Sequence, residues 1–142
     1  MRRIIRSIVV CTVLFAGFSA GVVAQDMSAE EKKAEKDFYD SVQREVDRLT
    51  GVLKLEDWQV FYVDSIMTHD YKAMQEELTD LRNKKVSNTD MYYDIQDKWQ
   101  EKMYVAFEKI FDENQWAKYL KSGAARDKKS RDKRSAKRQN TD

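Results

Sequence analysis

His69 is the one histidine in this 142-residue chain, and the sequence around it lacks the partners that imidazole chemistry needs. A zinc pair on a helix requires a second ligand one turn away. The residues four before and four after are Ser65 and Ala73. The single cysteine, Cys11, lies far off, and no glycine-rich phosphate loop is present. The acidic doublets Glu30–Glu31 and Glu76–Glu77 read as solvated helix faces, because neighbours in a helix do not face each other. These residues predict no enzyme, no cofactor and no metal site, with His69 an ordinary helix-face histidine.

The elements that must position any other site are helical. There is no proline, and past residue 24 only Gly51 and Gly123 remain as breakers. That composition argues against a turn-rich β fold and for a few long helices. The first 24 residues have a layout of their own. Arg2, Arg3 and Arg6 precede an apolar run from Ile8 to Phe18, then small residues and Val22-Val23-Ala24. This is the order of a secretory signal peptide, cleaved near Ala24. The run is shorter than the ~20 residues that span a bilayer. The expectation is therefore a periplasmic or otherwise exported protein, cleaved from residue 25 and left without cysteine. The predicted divisions are a signal peptide over 1–24, a helical domain over 25–120 and a basic, mobile tail over 121–142. Residues 25–120 hold 14 Lys+Arg against 22 Asp+Glu, while 121–142 hold 9 Lys+Arg against 3 Asp. The 14 aromatic residues past the leader all lie between Phe38 and Tyr119, so the packed part is expected to end near Leu120.

Ser28-x-x-Glu31 predicts a capping box at the start of the first helix, whose apolar stripe is Phe38, Val42, Val46, Leu49 and Leu53. Gly51 is expected to break or cap that helix. The second helix is predicted from about Glu56 to about Lys84. Its main stripe is Val60, Val63, Met67, Tyr71, Met74, Leu78 and Leu81. A second set, Trp58, Tyr62, Ile66, His69 and Ala73, falls roughly opposite. Two opposed stripes fit either burial between two neighbouring helices or one stripe inward and one toward a partner. A polar connection over Asn83–Asp90 precedes a third helix carrying Tyr92, Ile95, Trp99, Met103, Ala106 and Ile110, with Tyr93, Tyr104, Phe107 and Phe111 beside them. A short fourth helix is expected from the capping box Asp112-x-x-Gln115. The predicted fold is all-α: three long helices plus a short C-terminal one, arranged as a bent hairpin or bundle.

One five-residue pattern occurs twice, both times at a predicted helix start. It is Leu55-Glu56-Asp57-Trp58-Gln59 and Phe111-Asp112-Glu113-Asn114-Gln115: apolar, polar, two variable, glutamine. In the second copy Asp112 can accept from the Gln115 N–H while the Gln115 side chain reaches back to the Asp112 N–H, and Phe111 can staple on Trp116. In the first, Glu56 is a poorer cap. Two such motifs, in a small, helical, exported chain without mature cysteine, resemble the L-T-x-x-Q motifs of the Spy/CpxP family of periplasmic proteins. The resemblance spans roughly Leu53 to Leu120. Glu56 and Asp112 stand in place of threonine, and Phe111 in place of leucine.

The resemblance implies an antiparallel dimer of bent hairpins forming a thin cradle, and an ATP-independent chaperone or envelope-stress adaptor. The expected partners are unfolded or envelope proteins and a second copy of the chain, not nucleic acid. Trp58, Tyr62, Ile66, Met67, His69, Met74 and Trp99 are the residues expected to touch them. Met67, Met74 and Met103 suit an adaptable surface and equally suit a core. The alternative is a structural module whose basic tail meets an anionic envelope surface, or docks on the chain's own acidic body.

Overall fold

The computed structural model describes residues 28–139, so the predicted signal peptide lies outside the described residues. The protein is an all-α bundle: α1 (Ala29–Leu53), α2 (Asp57–Asn83), α3 (Thr89–Ile110), α4 (Glu113–Tyr119) and α5 (Ala125–Gln139). Among the described residues no helix is long and apolar enough to cross a membrane.

Local signals set the helix boundaries. Ser28 and Glu31 close the predicted box, the Glu31 N–H donating to Ser28 Oγ at 3.2 Å and the Ser28 N–H to Glu31 Oε2 at 2.7 Å. Gly51 neither breaks nor caps α1; it lies inside the helix. The helix runs on because Leu53, 1% exposed, belongs to the core. Lys54 then takes the left-handed cap conformation, with φ 57°. Asn88 caps α3 by accepting from the Asp90 N–H at 3.0 Å.

Val42, Val46, Leu49 and Leu53 of α1 pack against Val63 and Met67 of α2 and Met103 and Phe107 of α3. Leu55 and Phe111, from the two repeated motifs, complete the buried set. Full burial of such a side chain contributes about 1.5–3 kcal/mol, so this stripe carries much of the fold. Phe107 and Phe111 stack at 5.3 Å, and Tyr119 meets both edge-on. Burial here pushes the Tyr119 phenol up to about 12.

The chain past Leu120 differs from the sequence expectation of a mobile tail. A π-helical turn over Leu120–Ala124, with Gly123 at φ 122°, redirects the chain into α5. That backbone angle suits glycine, which has no Cβ to clash. Helix α5 runs antiparallel along α3 although Ala125 and Ala136 are its only apolar residues. Charge docks it. Arg131 Nη2 reaches Glu101 Oε2 at 3.1 Å, Arg134 Nε reaches Asp97 Oδ2 at 2.8 Å, and Arg138 Nη1 reaches Asp94 Oδ1 at 2.9 Å. The guanidinium groups of Arg131 and Arg134 also lie over the Tyr104 and Tyr93 rings, at 5.5 and 5.6 Å from their centres. The apolar band of α3 is wider than one stripe for this reason. Met103 and Phe107 face the core, while Tyr93 and Tyr104 meet the arginines.

Candidate functional site

The two repeated motifs meet. Gln59 and Gln115, both buried, pair amide to amide: Gln59 Nε2 donates to Gln115 Oε1 at 2.6 Å, and Gln115 Nε2 to Gln59 Oε1 at 2.9 Å. Each oxygen also accepts the N–H that opens its own helix, from Glu56 at 2.9 Å and from Asp112 at 3.0 Å. Each nitrogen also donates to the carbonyl just before the other motif. Gln59 reaches Ile110 O at 2.9 Å and Gln115 reaches Lys54 O at 3.4 Å. The arrangement is pseudo-symmetric and uses both donors and both acceptor positions of each amide. It ties the start of α2 to the start of α4.

The two copies cap unequally, as their residue types predict. Asp112 Oδ1 accepts from the Gln115 N–H at 2.8 Å. The Glu56 carboxylate faces the Gln59 N–H only loosely, and instead accepts from Trp58 Nε1 at 2.7 Å. Asp112→Ala is expected to cost about 0.5–2 kcal/mol of stability, and Glu56→Ala clearly less. Urea denaturation of the two variants checks the order; equal losses would mean that Asp112 is not acting as a cap.

The Glu56–Trp58 bond also fixes the most exposed apolar feature among the described residues. Trp58, Phe61 and Tyr62, at the start of α2, are 50%, 67% and 51% exposed. Phe61 and Tyr62 meet edge-on at 5.6 Å, and Trp58 and Tyr62 at 6.2 Å. Aromatic side chains carry the largest apolar areas, so three together form a sticky end rather than isolated surface residues. Phe61 falls between the two predicted stripes, and periodicity alone passed over it.

The other expected contact residues divide. Met67 is core, 2% exposed, and is not available to a partner. Ile66 is half-buried against that core. Met74 is half-buried and lines an open groove between α1 and α2 with Phe38, Val42, Tyr71 and Leu78. His69 is exposed; its Nδ1 lies 2.8 Å from Oδ1 of the buried Asp70, and its ring meets Trp99 at 6.2 Å. Lys102 spans the same cluster, donating to Asp70 Oδ1 at 3.1 Å with its ammonium 4.4 Å from the Trp99 ring centre. Asp70 is thus a buried carboxylate held between α2 and α3 by its contacts to His69 and Lys102. The structure brings Trp58 and Tyr62 into one surface and His69 and Trp99 into a second.

An all-α bundle, closed by paired glutamines and leaving an aromatic end uncovered, is the class of protein that these features define. Compared with known proteins, the chain matches no family model, no curated protein and no solved structure. Among the described residues no group of three or more His, Cys, Asp and Glu could hold a metal ion.

Proposed function

We propose that this protein is an exported, ATP-independent, holdase-like chaperone or envelope-stress adaptor of the Spy/CpxP kind, working as a homodimer. The observation that carries the proposal is the uncovered Trp58–Phe61–Tyr62 end of α2. Amphipathic aromatic side chains on a rigid helix can hold the apolar segments of many unfolded chains without a matched pocket. The glutamine-paired motifs support the reading, since they anchor the helix start that displays these side chains. No ATP is needed for capture by apolar contact alone.

The test is suppression of light scattering by a chemically unfolded client. Trp58→Ser, Phe61→Ser and Tyr62→Ser together are expected to weaken suppression at least several-fold. Far-UV circular dichroism should stay unchanged, because exposed positions contribute little to stability. Wild-type protein that protects none of several clients, or a triple variant that protects equally well, would overturn the proposal. A solution mass from light scattering tests the dimer.

A further inference from the structure

A cavity of about 200 Å³ lies where α1, α2, α3, the π-helical turn and α5 converge. Leu49, Met103 and Phe107, all buried, form its floor, and the rings of Tyr71, Tyr104 and Tyr119 wall it. Arg48 and Asp127, both exposed, mark its mouth. The charged side chains of the lining are matched within the chain. Arg48 donates to Glu45 at 2.7 Å, Arg131 pairs with Glu101 at 3.1 Å, and Asp127 with Arg126 at 3.3 Å. The tyrosines differ. Neither the Tyr71 nor the Tyr119 hydroxyl has a hydrogen-bond partner among the described residues. Glu45, Arg48, Arg131 and Tyr104, whose charges act on these two phenols, all line the same cavity, which places both hydroxyls at its wall. Burial raises both phenols above their ordinary value, so each keeps its proton and can donate as well as accept.

We propose that this cavity is a binding site for a neutral, single-ring phenol, whose hydroxyl is held between those of Tyr71 and Tyr119. Size selects the ring. An apolar cavity of about 150 Å³ takes up benzene, so this one admits a ring with a small substituent. The walls select an aromatic guest, because Phe107, Tyr104 and Tyr119 offer ring faces and edges to a further ring. The two unpartnered hydroxyls select a group that donates to one and accepts from the other, which a phenol does. The matched charges of the lining leave no surplus to attract an ion, and moving a charged guest out of water is costly. The cavity is distinct from the aromatic end of α2, so this inference and the chaperone reading stand or fall separately.

The experiment is titration of the protein with p-cresol, toluene and benzoate, followed by amide chemical shifts. p-Cresol should bind one to one, with the largest shifts around Leu49, Met103 and Tyr119. Toluene, which leaves both hydroxyls unpartnered, should bind at least about tenfold more weakly, and so should the benzoate anion. Tyr71→Phe and Tyr119→Phe each remove a hydroxyl and keep the ring. Each should weaken p-cresol about fivefold and leave toluene within about twofold, a split that a merely distorted cavity would not produce. An absence of p-cresol binding would overturn the proposal and leave the cavity to water. Toluene or benzoate binding as tightly as p-cresol would overturn it too, as would shifts confined to the Trp58–Tyr62 end of α2 or equal losses of p-cresol and toluene in both variants.

Discussion

Gln59→Leu is expected to destabilise the protein by about 3–5 kcal/mol, although the site is polar and the replacement apolar. The amide occupies a place where backbone groups converge. Its loss orphans the Ile110 carbonyl and takes one partner from each end of the Gln115 amide. It also removes the acceptor of the Glu56 N–H. An unsatisfied buried group costs about 1–3 kcal/mol, and here two or three are created at once. Against a total stability of about 5–15 kcal/mol, that is a large fraction. Gln115→Leu should cost about as much, because it removes the mirror-image bonds to Asp112 and Lys54. The double variant should cost well below the sum of the singles, with a coupling of about 1–3 kcal/mol, since either substitution alone already breaks the pair. Urea denaturation of the three variants measures this. Additive losses, or singles below about 1 kcal/mol, would mean that the amides act independently.

That pairing shows where reading the sequence stops. Each motif was legible as a helix start, because a cap needs only residues three apart. The boundaries of α2, Asp57–Asn83, fall one residue inside the predicted ends for the same reason. All four residues of α1 that are buried were in its predicted stripe. Nothing local says that two glutamines 56 positions apart meet, because the contact depends on how α1 and α3 bring the two helix starts together. Met67 shows a different limit. It belonged to the main stripe and also to the expected contact surface, and only packing against α1 and α3 settles it as core. Helix α5 shows a third limit. Its order comes from charge, which apolar periodicity does not register. Asp94, Asp97 and Glu101 step by three and four along α3, and Arg131, Arg134 and Arg138 step likewise along α5.

Because ion pairs rather than apolar packing dominate the docking of α5, it is expected to be the first element to open, and acid should open it before the bundle unfolds. Asp97 is the centre of the seam, its side chain 10% exposed. Its hydrogen bond to Arg134, and then the nearby Arg138, hold its carboxyl below the ordinary value of 3.8 despite the opposing effect of burial. Asp94 and Glu101 flank it on α3 and belong to the same seam, while Lys98 beside it pairs with Glu77 of α2. A group whose pKa is lower when docked binds fewer protons in that state, so protons favour release. Its contribution is complete above about pH 5 and disappears as pH falls through the lowered value, below about pH 4. Hydrogen exchange compared at neutral and acid pH, corrected for intrinsic rates, should show the α5 amides losing protection in acid. The buried stretch of α1 from Val42 to Leu53 should keep most of its protection, because apolar packing holds it. Salt should act in the same direction but less completely, since a half-buried pair is screened less than exposed ones. Asp97→Asn should reproduce the acid state of α5 at neutral pH while leaving α1 protected. If α5 stayed as protected as α1 in acid, in salt and in Asp97→Asn alike, the ion-pair seam could not be what holds it, and stacking on Tyr93 and Tyr104 would have to carry the helix instead.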